Sequence, residues 1–148
     1  MVLDIIGIVL QAATALAIVI GAWQLLFHSR QMHRDFESLY VERYWQIMDR
    51  RSNDWILKGK TKPEDETIIR QYLQLCEDEI DLRELGRVSD GTWKFWADAI
   101  RMQAGVEPYV STLRKLGTRA YPSVSRLMRE PDWDPCVWSP AKRKIRGL

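Results

Sequence analysis

The first 27 residues of this sequence contain almost no charge, because Asp4 is their only acidic or basic side chain. The run from Ile5 to Phe27, IIGIVLQAATALAIVIGAWQLLF, has none at all. At about 1.5 Å of rise per residue, a helix of this run is about 35 Å long, enough to cross a hydrocarbon core of about 30 Å. The absence of charge therefore predicts one N-terminal transmembrane helix.

Cysteine and histidine are also scarce, with two of each in the chain. Cys76 and Cys136 have no neighbouring cysteine or histidine at a zinc-ligand spacing. His28 and His33 are not part of the Glu-x-x-His pairs that metal-binding bundles use. We therefore expect no metal and no cofactor, and no disulfide in a reducing cytoplasm.

Catalytic motifs are missing as well. Gly86 and Gly91 are five residues apart, but no lysine follows the second glycine and the segment links two helices, which argues against a phosphate-binding loop. No serine has an elbow motif or a nearby histidine that would activate it as a nucleophile. We expect no enzymatic activity.

The alternating pattern of β-strands is absent, and apolar residues recur instead at steps of three and four. The expected fold is all-α, with one transmembrane helix followed by a small cytoplasmic helical bundle. The spacing predicts helices at 29–51, at 64–85, after the N-cap Ser89, at 108–117, and for a turn or two after Pro122. No glycine or proline separates the first of these helices from the span, and the sequence leaves open whether the two are one helix. The expected division is an extracytoplasmic N-terminus at 1–4, a transmembrane helix at 5–27, a helical domain at 28–128 and a Pro-rich basic tail at 129–148.

The charges that flank the span predict its orientation. Several arginines follow the span, whereas the short side carries only Asp4. Basic residues close to a span stay cytoplasmic, so we expect the N-terminus outside and the rest inside. A cleaved signal peptide is the alternative, because Ala13-Thr14-Ala15 resembles a cleavage site. The apolar run continues well past it with no basic residue in front, which favours an anchor.

Small and polar residues follow one face of the span. Glycine and threonine recur there every seventh position, with two glutamines beside them. In lipid, small residues let helices approach closely and amides hydrogen-bond between helices. We therefore expect homo-oligomerisation, or pairing with another membrane protein, through a helix-association face made of Gly7, Gln11, Thr14, Gly21 and Gln24. A plain anchor that tolerates these residues is the alternative, and the lining of an oligomeric pore is another.

The soluble part is acidic in one region and basic in another. Residues 64–84 carry eight acidic side chains and two arginines, and residues 114–148 carry nine basic and three acidic ones. The tail is therefore expected either to fold back on the acidic helix or to bind anionic membrane lipid. No nucleic acid is expected, since the basic residues lack interleaved aromatics. The expected lipid or acidic-partner contact is Lys142, Arg143, Lys144 and Arg146.

Two further predictions concern the acidic helix and the basic tail. The acidic run on the second soluble helix is typical of a solvated helix face; its members are Glu77, Asp78, Glu79, Asp81 and Glu84. The tail is expected to be extended or disordered, because three prolines break any helix there. Its Trp133 and Trp138 either pin the tail to the bundle or dock a partner.

The string YLQLCEDEIDLRELGRVSDGTWKFWADAIR, Tyr72–Arg101, follows a membrane span and an aromatic-rich helix. With its Leu85-Gly86 junction and its Trp93 and Trp96, it resembles a family of uncharacterised single-pass bacterial or phage membrane proteins with a helical cytoplasmic domain. The resemblance covers residues 5–116 and rests on packing and capping motifs. It implies a location in the bacterial plasma membrane and carries no known activity.

The expected function is a non-enzymatic, membrane-anchored helical interaction module at the inner membrane face. A role in phage-related defence or exclusion fits the resemblance. The alternative function is a small oligomeric pore-former or channel subunit that uses the polar face of the transmembrane helix.

Overall fold

The computed structural model describes residues 2–146 and 148, including their side chains except those at 2–4, 26, 29, 30, 32, 33 and 146. All regular secondary structure in these residues is helical. The helices are α1 (Val2–Met48), α2 (Asn53–Lys58), α3 (Asp65–Glu84), α4 (Asp90–Ala104), α5 (Tyr109–Ala120), α6 (Pro122–Arg129) and α7 (Pro140–Arg146). The expected all-α fold, a bundle preceded by one N-terminal apolar helix, is confirmed.

The first helix, α1, runs without interruption through 47 residues and is about 70 Å long. Its segment Ile5–Leu25 has a mean hydropathy of 2.4, is not buried by the rest of the chain, and is long and apolar enough to cross a membrane. α1 therefore joins the apolar segment and the predicted helix at 29–51 in one helix, a point that the sequence left open, and it ends at Met48. The C-terminal part of α1 packs on the bundle through Phe36, Tyr40, Tyr44, Ile47 and Met48.

The centre of the bundle is α3, which packs against α1, α4, α5 and α6. Side chains are buried around most of its circumference, as in a core helix. The expected apolar face is confirmed by Ile69, Tyr72, Leu73, Cys76 and Ile80, all of them buried. Burial extends beyond that face to Glu77, Glu79 and Arg83. Cys76 and Cys136 are both buried and free.

Local signals set the helix ends as expected. The Ser89 hydroxyl accepts a hydrogen bond from the Thr92 N–H at 3.3 Å and caps α4. Val88 and Trp93, the two positions of a hydrophobic staple around that cap, are both buried. Gly86 follows α3 with a φ of 65°, the left-handed conformation that glycine adopts without strain.

The segment between α1 and α3, expected to be non-helical, contains α2. Asp65, an acidic residue in the first turn of α3, is fully buried and holds both ends of this segment. The Asp65 carboxylate accepts hydrogen bonds from the Lys62 N–H at 2.8 Å and from the Ser52 N–H at 3.0 Å. Burial by itself raises the pKa of Asp65, but these hydrogen bonds outweigh it and lower the pKa below its usual range.

Residues 130–139 contain no helix or strand, as expected for an extended tail, but the expectation is wrong for residues 140–146, which form α7. Residues 130–139 lie along the bundle with Cys136 buried, and α7 follows. Pro140 opens α7 instead of breaking it, because a first-turn residue needs no N–H donor. Trp133 packs against the core under the Arg126 guanidinium, 4.5 Å from the ring centre. Trp138 covers Gly86, so the two tryptophans pin the tail to the bundle.

We expect Gly86→Ala to destabilise the protein more than Gly59→Ala does. Both glycines have a φ of 65°, so alanine costs about 1 kcal/mol at either position. A Cβ at Gly86 would also lie 2.7 Å from the Trp138 ring, whereas a Cβ at Gly59 meets nothing within 4 Å. The clash adds about 1–3 kcal/mol. Urea unfolding of both variants measures the difference, and equal losses would show that Trp138 does not hold this position.

Candidate functional site

A cleft of about 380 Å³ opens between α1 and α4, with α3 as its floor. Most of its wall is aromatic or aliphatic, and one carboxyl group lies in it. The lining residues are Val41, Tyr44 and Trp45 of α1, Tyr72 and Glu79 of α3, and Phe95, Trp96, Ala99 and Gln103 of α4. We call it the Glu79 cleft.

Helical spacing on three helices builds this cleft. On α3, Tyr72 and Glu79 are seven residues apart and therefore share a face. On α4, Phe95, Ala99 and Gln103 follow one another at steps of four. Because each wall belongs to a packed helix, the cleft is formed before any ligand arrives.

The rim of the cleft is an exposed apolar surface. The exposed fractions are 44% for Val41, 56% for Trp45 and 72% for Phe95. Met102, seven residues after Phe95 on the same side of α4, is 74% exposed. An apolar surface of this kind around a cleft is typical of a binding site for a protein or another ligand.

Glu79 as a whole residue is only 8% exposed. It forms no hydrogen bond or ion pair with any residue that the structure describes. Burial, with a smaller contribution from Asp78, raises the pKa of Glu79 to about 8. Glu79 is therefore mostly neutral at pH 7, and it is a buried acid without a partner.

A hydrogen-bonded glutamine fixes the deep end of the cleft. The Tyr44 hydroxyl donates to the Gln103 Oε1 at 3.2 Å, and the Gln103 Nε2 donates to the Tyr109 hydroxyl at 3.2 Å. The same Nε2 lies 3.5 Å from the Met48 sulfur. Buried networks of this kind hold aromatic side chains in one orientation.

The interpretation of the acidic run as a solvated face is wrong for two of its members, Glu77 and Glu79. The Glu77 carboxylate accepts the Ser123 N–H at 3.1 Å and the Val124 N–H at 2.8 Å, and so caps α6. Burial raises the pKa of Glu77 even though these hydrogen bonds oppose the shift. The others are more accessible: Asp78 pairs with Arg43 at 3.2 Å, and Asp81 and Glu84 are exposed.

The tail does fold back onto the acidic helix, but with the charges reversed from the expectation. Arg83, 1% exposed, donates through Nε and Nη2 to both oxygens of Asp134 at 2.9 and 2.6 Å. Its Nη2 also donates to Asp90 at 2.6 Å, and its Nη1 donates to the Val88 carbonyl at 2.8 Å. An arginine of the acidic helix therefore holds an acid of the basic tail.

The four basic residues expected to contact lipid or an acidic partner have different environments. Arg143 forms ion pairs with Asp134 at 3.0 Å and with Asp90 at 3.2 Å. Lys142 lies over the Trp138 ring with its Nζ 4.3 Å from the ring centre. Lys144 is exposed, and the side chain of Arg146 lies outside the described residues.

The helix-association face is open in the single chain. Gln11, Thr14 and Gln24 are exposed, and a Cβ added at Gly7 or Gly21 would meet nothing within 4 Å. The Thr14 hydroxyl donates to the Leu10 carbonyl of its own helix at 2.8 Å. Association through this face stays a prediction.

Sequence reasoning missed the Glu79 cleft. The available signal was the step of three from the buried Cys76 to Glu79, which places that one acid of the run on the apolar stripe. The sequence did not indicate that Trp45 and Phe95 lie at a cleft. Each is adjacent to an aromatic residue that packs inward, Tyr44 or Trp96, and the helical pattern assigns that neighbour to the core.

Among the residues that the structure describes, no group of three or more histidine, cysteine or acidic side chains is placed to hold a metal ion. The chain matches no protein-family model, no curated protein and no solved structure. The resemblance to uncharacterised single-pass membrane proteins therefore stays a prediction, and the function has to be argued from the geometry.

Proposed function

We propose that this protein is a non-enzymatic, membrane-anchored helical interaction module at the inner face of the bacterial plasma membrane, with its N-terminus outside. Its Glu79 cleft docks a partner protein, and its helix-association face brings copies of the chain together. Phage-related defence or exclusion is one role that such a module would serve.

The single observation that carries the proposal is the exposed aromatic rim of a preformed cleft on a bundle fixed to α1. Val41 lies 14 residues after Phe27, so the cleft is about 20 Å beyond the end of the apolar run. That height is beyond the headgroup layer, since a bilayer of about 40–45 Å has a hydrocarbon core of about 30 Å. A cytoplasmic protein can reach the cleft, and a lipid chain cannot.

Photocrosslinking in native membranes tests the docking role. A photoreactive residue in place of Phe95 should give one discrete, reproducible adduct with a defined partner, because Phe95 is 72% exposed at the rim. The same residue in place of Ser111, exposed on α5, is the control. Identical adducts from both positions, or none from Phe95, would contradict the proposal.

Crosslinking also tests the helix-association face. Single cysteines at Gly7, Thr14 and Gly21, in a chain lacking Cys76 and Cys136, should give disulfide-linked dimers. Cysteines at Leu16 and Val19 are the control, because these residues lie on the opposite side of the helix. Dimers of equal yield from both sets would rule out a specific interface.

Membrane lipid is the second partner that we propose. α7 packs on α1. Trp138, just before α7, covers Gly86, whose neighbour Arg87 lies over the Phe36 ring at 5.6 Å. Phe36 is nine residues, about 14 Å, past Phe27. We therefore propose that the exposed Lys144 and its neighbour Lys142 reach anionic headgroups, whose attraction for basic side chains falls off within a Debye length.

We expect amide exchange in α7 to be about tenfold slower in nanodiscs of anionic lipid than in zwitterionic ones, since each lysine near such a surface gains about 1 kcal/mol. Lys142→Gln with Lys144→Gln should abolish the difference, and so should high salt. Arg114→Gln with Lys115→Gln, an exposed basic pair on α5, is the control. Equal exchange in both lipids would contradict this contact.

The second candidate function is a small oligomeric pore. The observation that favours it is that Gln11 and Gln24 are exposed and form no side-chain hydrogen bond within the described part of the chain. Expressing cells should then leak ions, and Gln11→Leu should stop the leak. An intact membrane potential in cells that make the full chain would rule the pore out.

A further inference from the structure

The charge and the aromatic lining of the Glu79 cleft indicate which group of a partner enters it. Resting on the proposed docking role, we infer that the Glu79 cleft binds the side chain of a lysine presented by a partner protein, with its ammonium group against the Glu79 carboxylate.

The acidic side chain of the cleft favours a cationic ligand. Glu79 is the acid in the cleft, and no cation among the described residues pairs with it. Arg43 of α1 is already paired with Asp78, the residue before Glu79, at 3.2 Å. Ionising a carboxyl group in a largely apolar cleft is costly because burial disfavours the charged form, and a cation that enters the cleft offsets that cost. The site therefore selects a positive charge.

Aromatic rings line the cleft on both sides. Tyr44 packs edge-on against Trp45 with ring centres 5.2 Å apart, and it meets Tyr72 at 6.1 Å. Phe95 and Trp96 close the other side. Ring faces attract cations, and aromatic cages are a common recognition device for ammonium groups.

An ammonium fits this cleft better than a guanidinium does. Arginine brings five N–H donors in a rigid fork, and each donor needs an acceptor when buried. The main acceptor here is the Glu79 carboxylate, because the Gln103 oxygen already accepts from Tyr44. Lysine brings three donors on an apolar four-carbon stem, which matches the largely apolar wall.

The rim identifies the source of the ammonium as a polypeptide. Val41, Trp45 and Phe95 line the cleft and are still 44%, 56% and 72% exposed, and Met102 on the same side of α4 is 74% exposed. This apolar surface is wider than one ammonium and its stem would cover. Apolar residues next to a partner's lysine would cover the rest, as in the centre of a protein interface. A free alkylamine would leave the rest in water.

Binding should be coupled to the titration of Glu79. The groups that face Glu79 are Tyr40 and Tyr44 from α1, and Tyr72, Cys76 and Asp78 from its own helix. α4 contributes to the lining only Phe95, Trp96, Ala99 and Gln103, none of which titrates. Because the pKa of Glu79 is about 8, the ammonium must displace a proton below that pH. The affinity should fall about tenfold per pH unit below pH 8.

Isothermal titration calorimetry on the full chain in nanodiscs tests this. The probes are an acetylated, amidated leucine-lysine-leucine peptide and the same peptide with its lysine Nε-acetylated. At pH 8.5 we expect the lysine peptide to bind at least tenfold more tightly, with the preference shrinking towards pH 6.5. Glu79→Gln should abolish the preference, and Asp81→Asn, an exposed acid on the same helix, should keep it.

Equal affinity for the two peptides, or a preference that survives Glu79→Gln, would overturn the inference. Equally tight binding of n-hexylammonium would overturn its polypeptide source. The Phe95 photocrosslink separates these failures from failure of the docking role. A specific Phe95 adduct without lysine selectivity leaves the module intact and removes only the lysine. The absence of any adduct removes the docking role itself.

Discussion

Arg83→Met is expected to lower the free energy of unfolding by about 3 kcal/mol, at the lower end of the range for breaking a buried ion pair. Arg83 is 1% exposed and donates two hydrogen bonds to Asp134, one to Asp90 and one to the Val88 carbonyl. Its loss leaves two carboxylates and a carbonyl without their main donor. The loss stays at the lower end because Arg143 still contacts both acids. Urea unfolding followed by tryptophan fluorescence measures it.

Arg70→Met on the same helix is the matched control. Arg70 pairs with Glu66 at 2.7 Å, but both side chains are about half exposed, at 52% and 55%. Exposed pairs contribute about 0.5 kcal/mol or less. Similar losses in the two variants would show that the buried cluster around Arg83 does not stabilise the fold.

The same cluster predicts how stability changes in acid. Burial raises the pKa of Asp134, but the hydrogen bonds from Arg83 and the Cys136 N–H outweigh it and hold the pKa below its usual range. The folded state therefore binds a proton less readily than the unfolded state. The resulting stability is present above the unfolded pKa of about 4 and is lost as the pH falls below it. Arg83→Met should flatten this acid dependence.

Most helices could be predicted because their signals are local. Ser89 caps the segment that it precedes, Gly86 ends the helix that it follows, and the charge-free run marks the apolar part of α1. Each of these features depends on neighbours within one or two helical turns. The continuity of α1, which the sequence left open, agrees with a local fact, the absence of Gly and Pro between the span and the soluble part.

The return of the tail to the acidic helix is one of the alternatives that the sequence predicts. The ion pair that holds the tail and the cleft could not be predicted, since both depend on contacts between distant segments. Asp134 and Arg83 are 51 residues apart, and neither sequence neighbourhood reveals the pair. The prolines of the tail looked like helix breakers, yet Pro140 became a helix start once Trp138 anchored the chain. The cleft needs three helices at once, so a pattern read along one helix could not reveal it.

Glu79→Gln is expected to make the protein increasingly more stable than the parent as the pH rises. Burial raises the pKa of Glu79 to about 8, above its usual value near 4.5. Between these values the folded state binds more protons than the unfolded state, so stability falls as the pH rises. The glutamine variant lacks this titration. Its advantage should grow by about 1.4 kcal/mol per pH unit from pH 5 and level off above pH 8.

Urea unfolding of the full chain at pH 5, 6, 7, 8 and 9 measures that growing difference, and Glu84→Gln is the control. Glu84 is an exposed acid at the end of the same helix and outside the cleft, so its variant tests whether the removal of any acid from α3 produces the same widening gap. A gap between Glu79→Gln and the parent that stays constant with pH would mean that the Glu79 carboxyl finds a compensating partner in the folded chain. The cleft would then have no reason to select a cation. A gap that widens as expected would show that the free protein keeps an acid in its cleft without a cationic partner, which is the condition that the inferred lysine site requires.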